Sequence, residues 1–415
     1  MRWHREWFIR VPWGKLALVS RGHPDGEPVL LVHGRQDSLS IFEPLIEQMS
    51  EQYYYVALDM PGNGLSDAFP HGPKLQRFHF LYAMELALLH LGWDRFIFMG
   101  HSMGCEQGLF YNVVYPNQIT RMILLDAGPT LMRMQIEDNA EYQQLFYDSY
   151  YENYHTENFK RKTHTRMSAT QSLQRLRELS NEQCAHLLAR NFHEIGSENS
   201  NRPSNAAEAS CSYANEAQNE NEQDNVRVMY TTKRAKNPNR TKKARNGKRR
   251  QKKDELTDTD DESTDTDEKL TDTDDESTDT DEEKGRRREN RRGEGDDGLN
   301  EFIQRMNDND CEGYLSWDNR LKHLAPQNYG NEYYFELFKK IPPTLLIAAS
   351  YGAKNVPPIP KWRQGAIELL QKLETLENFH RVDVEGSHDV HYTHPERVLP
   401  FINAFLKDNK VYSKL

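Results

Sequence analysis

The chain has 415 residues, of which 36% are hydrophobic and 28% charged, with a formal net charge of −11. No run approaches the roughly eighteen apolar residues of a spanning helix, and Met1-Arg2-Trp3-His4-Arg5-Glu6-Trp7 lacks the apolar centre of a signal peptide. Four widely spaced cysteines (Cys105, Cys184, Cys211, Cys311) form no C-x-x-C pair or Cys/His cluster, so no zinc or other metal site is expected, and reduced thiols are the simplest state.

In chain order, Trp7–Val11 and Lys15–Val19 predict two strands joined around Trp13-Gly14. Pro28–His33 is a continuous apolar run, the pattern of a strand buried on both faces. A helix is expected over Ser40–Ser50, a strand over Tyr53–Asp59, a helix over Arg77–Leu91 and a strand over Asp94–Met99. A helix then runs to Tyr115, where Pro116 stops it. Arg121–Asp126 is the next strand; Leu173–Leu188 reads as a helix. Pro343–Ser350 and Phe379–Glu385 read as late strands, with helices over Ala366–Leu376 and Pro395–Leu406. Strands alternating with helices predict an α/β fold, a mainly parallel sheet covered on both faces, with its site at the carboxyl ends of the strands.

Between the strand ending at Met99 and the helix that follows lies Gly100-His101-Ser102-Met103-Gly104, a G-x-S-x-G pattern. Strand, sharp turn and helix together lift one hydroxyl above the sheet, so Ser102 is the expected nucleophile. Serine at this position argues against epoxide hydrolases and dehalogenases, whose nucleophile is aspartate. Pro61-Gly62-Asn63-Gly64-Leu65-Ser66 is a tight turn, read as architecture; its spacing is not a dinucleotide fingerprint, so no cofactor is expected.

Leu31-Val32-His33-Gly34, Leu58-Asp59-Met60-Pro61-Gly62-Asn63-Gly64-Leu65-Ser66-Asp67, Gly100-His101-Ser102-Met103-Gly104 and Glu385-Gly386-Ser387-His388 resemble the α/β-hydrolase superfamily in order and spacing. Within it, Ile123-Leu124-Leu125-Asp126-Ala127-Gly128, Ser316-Trp317-Asp318-Asn319-Arg320-Leu321 and Val390-His391 resemble the serine hydrolase-like proteins of animals, the kraken-like group. The resemblance spans about residues 7–195 and 300–408. It implies His388 as general base, with His391 and His394 close enough to be confused with it. It also implies an acid after the strand Leu345–Ala349, but Ser350-Tyr351-Gly352-Ala353-Lys354-Asn355 contains no carboxylate. Some branches draw the acid from the end of the strand after the elbow helix, where Asp126 stands; Asp318, Asp383 and Asp389 are alternatives. The oxyanion donors implied are the backbone N–H groups of Arg35 and Met103. For the Arg35 side chain, a salt bridge with Asp37 or Asp67 is the simpler expectation.

The expected organisation is a hydrolase core over 1–127 and 341–410, with a helical cap over 128–195 and 300–340. A disordered, charged insertion over 196–299 interrupts the cap. The cap carries Tyr142, Phe146, Tyr147, Tyr150, Tyr151 and Tyr154 at helix-like spacing, as lid core or as the wall of an apolar pocket. In the insertion, Lys233–Lys253 holds twelve basic residues, while Leu256–Lys269 repeats as Leu270–Glu283. Residues 254–283 hold seventeen acids and one lysine. The basic block lacks aromatic residues and lies beside this acidic repeat, so self-pairing is expected rather than nucleic-acid binding. Ser413-Lys414-Leu415 matches a peroxisomal address, implying an import receptor and peroxisomal location, with the cytoplasm as alternative. The expected activity is hydrolysis of a carboxylic ester or thioester of a small or lipid-like substrate through an acyl-enzyme. The alternative is a catalytically reduced fold that acts in interactions through its charged insertion.

Overall fold

A computed structural model describes residues 3–127, 136–154, 162–195, 312–325, 329–351 and 360–407. Eleven strands occur among these: β1 (Arg5–Val11), β2 (Gly14–Gly22), β3 (Glu27–Val32), β4 (Tyr53–Leu58), β5 (Phe96–His101), β6 (Ile119–Leu125), β7 (Thr163–Thr165), β8 (Phe192–Glu194), β9 (Glu312–Leu315), β10 (Thr344–Ala349) and β11 (Phe379–Val384). Eight form one sheet in the order β1-β2-β4-β3-β5-β6-β10-β11. The β1–β2 and β2–β4 pairs are antiparallel; the other five are parallel.

The helices are α1 (Glu43–Ile46), α2 (His79–Leu91), α3 (Met103–Val114), α4 (Asn139–Gln143), α5 (Ser149–Glu152), α6 (Arg166–Leu176), α7 (Asn181–Asn191), α8 (Asn331–Phe338), α9 (Pro360–Leu373), α10 (Val390–Thr393) and α11 (Pro395–Lys407). Strand side chains alternate between faces, so each central strand feeds two cores. Leu30, Val32, Phe96 and Phe98 pack with Met84 and Leu88 of α2, Leu109 of α3 and Phe338 of α8. Val29, Leu31, Ile97 and Met99 pack on the other face with Phe42, Leu45 of α1 and Ile402 and Phe405 of α11. Each such burial contributes roughly 1.5–3 kcal/mol, which is why these strands read as unbroken apolar runs.

Two predicted helices are broken. Ser40–Ser50 is a 3₁₀ turn (Leu39–Phe42) followed by the short α1. Pro44 lies in the first turn of α1, where its missing amide is tolerated, and it cannot continue a helix begun earlier. Leu173–Leu188 is divided between α6 and α7. Arg177 is extended, and Ser180 and Gln183 form a capping box that starts α7 afresh.

The three-stranded sheet β7-β9-β8 was absent from the sequence expectations, its strands being three or four residues long. Ile195 N–H donates to Glu312 O at 2.9 Å, so the segment between them leaves and rejoins one antiparallel ladder at neighbouring points. The charged insertion, its basic and acidic blocks, and Ser413-Lys414-Leu415 lie outside the described residues. No helix among the described residues is long and apolar enough to cross a membrane.

Candidate active site

Ser102 is the single residue between β5 and α3, held at φ 52° and ψ −120°. Its N–H donates to Leu125 O on β6 at 3.0 Å, which fixes the strained turn. The flanking glycines are steric requirements. A Cβ on Gly104 would lie 2.1 Å from Val32 O, and one on Gly100 2.7 Å from the Gly104 carbonyl. Neighbouring Cys105 is buried, its Sγ 3.1 Å from Gly100 O and 3.4 Å from Leu125 O; burial pushes its thiol pKa well up. That environment opposes thiolate formation, as expected of a packed helix residue.

His388 follows β11 in a loop opened by Gly386 at φ 153°. Its Nδ1–H donates to Asp126 Oδ2 at 2.5 Å. Asp126 sits one residue beyond β6 at φ 50°. Its N–H donates to Ile347 O at 2.8 Å, and its Oδ1 accepts from Ala349 N–H at 3.1 Å. The acid is therefore fastened to β10, the strand after which the resemblance led us to look for one. At that place Ser350 instead braces the histidine loop, its Oγ accepting from Gly386 N–H at 3.2 Å. The other three aspartates are engaged elsewhere: Asp318 with Arg320, Asp383 with Arg381, Asp389 with Arg177.

Burial lowers the His388 pKa, but the hydrogen bond and charge of Asp126 outweigh it and leave the value above the ordinary one. His391 differs: it is 1% exposed, neither ring nitrogen has a hydrogen-bond partner, and burial drives it down to about 3. His394 is exposed and bonds Thr393 Oγ1. Of the three, only His388 has a carboxylate on one nitrogen, leaving Nε2 as an acceptor for a proton.

The loop after β3 passes close to the nucleophile: a Cβ on Gly34 would lie 2.9 Å from Ser102 Cβ. His33 accepts from Met60 N–H through Nε2 at 2.9 Å and donates from Nδ1 to Gly34 O at 2.7 Å. This fixes its tautomer and orients the Gly34–Arg35 peptide; burial lowers its pKa and keeps the ring neutral. Neither the Arg35 nor the Met103 backbone N–H has an acceptor among the described residues. Two free amides beside a nucleophile can stabilise an oxyanion. The expected salt bridge of Arg35 is corrected. Asp37 pairs with Arg177, Asp67 accepts from Lys15 N–H, and the Arg35 guanidinium has no ion-pair partner among the described residues.

Sequence reasoning missed the ion cluster that joins the α6–α7 connection to these loops. Arg177, between α6 and α7, donates to both oxygens of Asp389 (2.7 and 2.8 Å) and to Asp37 (3.1 Å). Burial would raise Asp389, but Arg177 holds it below the ordinary carboxylate range; for Asp37, burial wins and its pKa is raised. His101 Nε2–H donates to His388 O at 3.1 Å and stands 3.8 Å from Asp389. Asp37, His101 and Asp389 offer donor atoms within 4.8 Å of one another, a spacing suited to a metal ion. Arg177 already supplies the positive charge for both carboxylates there. The position of His101 inside the G-x-S-x-G pattern was a usable signal; nothing in the sequence marked Arg177.

Beyond the cluster, the aromatic run of the cap contributes one fully buried ring, Tyr150, whose OH donates to Gly72 O at 3.1 Å. Tyr142, Phe146 and Tyr147 are half-buried around a π-helical turn, Gln144–Asp148. An open depression of about 470 Å³ is lined by Gly72, Pro73, Tyr151 and Tyr154, and neither Ser102 nor His388 lines it.

A family model described as the alpha/beta hydrolase fold matches residues 27–395. A human serine hydrolase-like protein is 34% identical over 131 residues, which is 32% of this chain and 64% of that protein. A 2-(acetamidomethylene)succinate hydrolase of Mesorhizobium japonicum is 30% identical over 122 residues, 29% of this chain and 42% of that one. The chain thus spans less than two thirds of the length of these curated relatives. A solved structure, a hypothetical protein of Pseudomonas aeruginosa PAO1, is similar with a TM-score of 0.59 at 17% identity, over 97% of this chain and 99% of that one; at that identity the likeness is one of fold.

Proposed function

The chain belongs to the α/β-hydrolase family, and from that premise we propose that it is a serine hydrolase acting on a carboxylic ester or thioester through an acyl-enzyme. The observation that carries this reading is the His388–Asp126 pair at 2.5 Å, in a chain whose Ser102 stands on a strained strand-to-helix elbow. In this mechanism the Ser102 hydroxyl attacks the acyl carbon while His388 Nε2 takes its proton. The carbonyl oxygen becomes an oxyanion between the Arg35 and Met103 amides, and loss of one such donor costs roughly 3–4 kcal/mol of barrier. Collapse breaks the bond to the alcohol or thiol, which leaves with the proton from His388. Water, deprotonated by the same imidazole, then hydrolyses the acyl-enzyme. Asp126 holds the Nδ1–H tautomer and stabilises the imidazolium.

The names of the matched relatives, a serine hydrolase-like protein and a succinate hydrolase, support a hydrolytic role. The alternative interaction role rests on the charged insertion and on the missing carboxylate after Ser350; the Asp126–His388 hydrogen bond weighs against the second of these. The test is covalent labelling of the full chain with a neutral fluorophosphonate. Wild type should label and Ser102→Ala should not; an unlabelled wild type, under conditions where a known serine hydrolase labels, defeats the reading.

A further inference from the structure

The last residue of β5, His101, touches all three loops of the candidate site. It precedes Ser102 in the chain and is 2% exposed. A Cβ on Gly34 would lie 3.4 Å from its Nδ1, so the ring backs onto the loop that carries the Arg35 amide. Its Nε2 stands 3.1 Å from the His388 carbonyl oxygen. A carbonyl only accepts, so the ring hydrogen is on Nε2. Nδ1 keeps a bare lone pair, with no hydrogen-bond partner among the described residues. Burial first, and then the neighbouring His391, His388 and Arg177, hold its pKa well below the ordinary value and keep the ring neutral. The ring also packs against those of His388 and His391, with centroids 4.7 and 4.2 Å away. Among the described residues His388 makes two hydrogen bonds: Asp126 holds its imidazole and His101 holds its main chain. The base therefore hangs between two anchors, one just past the end of β6 and one at the end of β5.

We propose that His101 is a positioning residue, whose Nε2–H holds the His388 main chain so that the imidazole meets Asp126 on one side and the Ser102 hydroxyl on the other. Its consequence for rate rests on the acyl-hydrolase reading. An apolar side chain would fill the same buried space without leaving a desolvated Nδ1. What sets an imidazole apart from such a filler is the one donor it aims at His388. That donor stands on the strand that leads directly into Ser102, so nucleophile and base are seated from one rigid element. A neutral His101 also adds no positive charge beside the imidazolium that forms at His388.

The experiment compares the full-length wild type with three variants. His101→Phe keeps a planar ring without the donor, His101→Leu is smaller and also lacks it, and the amide of His101→Gln can donate to the same carbonyl. Two quantities are read: the rate of labelling by a neutral fluorophosphonate, and the far-downfield proton NMR signal of the His388 Nδ1–H···Asp126 hydrogen bond, identified by its loss in Asp126→Asn. Wild type should show both. His101→Phe and His101→Leu should label roughly 10²-fold more slowly, the scale of a small misplacement of a catalytic group, with the downfield signal shifted or lost. His101→Gln should restore most of the rate and the signal. Undiminished labelling in either donor-less variant, slowed labelling with the signal in place, or no recovery in His101→Gln would overturn the positioning role. So would a wild type without the signal, or failure of all three variants to fold, which makes His101 a folding residue. The signal needs no acyl transfer, so a wild type that shows it without labelling defeats the hydrolase reading alone.

Discussion

His388 is governed by two opposed influences, burial and the Asp126 carboxylate, and the carboxylate prevails. A base must be neutral to take a proton, so a pKa raised above about 6.5 places the acid limb of the rate profile above that value. Activity should be lost as pH falls through that limb and recovered as it rises. Asp126→Asn removes both the charge and the tautomer lock. We expect kcat to fall about 10⁴-fold and the acid limb to move to lower pH, measured as kcat/KM against pH. Near-normal turnover in this variant would exclude Asp126. At this scale the sequence carried much: Ser102, His388, Asp126 and both oxyanion residues were named from it. Asp126 was preferred over Asp318, Asp383 and Asp389 by its place in the resemblance, not by any local pattern. Only the approach of β6, β10 and the β11 loop decides which carboxylate meets the imidazole.

The α6–α7 pair is fastened to residues of the main sheet and its loops by three basic side chains, Arg177 from the connection and His186 and Arg190 from α7. Arg177 reaches Asp37 and Asp389, His186 reaches Glu43 at 2.7 Å, and Arg190 reaches Asp59 and Glu6. Asp37 lies two residues after Arg35 and Asp389 adjoins His388, so the Arg177 contact ties the α6–α7 connection to both candidate catalytic loops. Arg177→Gln leaves two buried carboxylates without their cation and should destabilise by about 3–5 kcal/mol in denaturant unfolding. Arg177→Lys, which keeps the charge but loses the two-pronged geometry, should cost less. A change under about 1 kcal/mol in the Gln variant, near the value of an exposed pair, would show that the cluster does not hold the cap. The strands of the eight-stranded sheet were legible to within a few residues, the central ones because burial on both faces demands continuous apolar runs. The helix break at Arg177 was missed although Ser180-Asn181-Glu182-Gln183 carries a capping-box pattern; what has no local signature is the pull of distant aspartates on the arginine.

At the scale of the whole chain, the sharpest contrast in sequence is between the runs that form the sheet and the long charged segment over 196–311. Its flanks, Ile195 and Glu312, are hydrogen-bonded neighbours in an antiparallel ladder. Replacing residues 196–311 with a two-residue Asn-Gly turn suits that geometry. The shortened protein should keep a cooperative unfolding transition and its fluorophosphonate labelling; loss of either would make the segment part of the folded structure. The sequence by itself determined the fold class and the order of the main sheet-forming runs, and it singled out Ser102 as the candidate nucleophile. These depend on short-range patterns: period-two burial, turn glycines and helix stops. Tertiary structure brought Asp126 against His388, and Arg177 against Asp37 and Asp389. Each of those is a pairing between residues far apart in the chain, and charge complementarity across such distances leaves no periodicity to read.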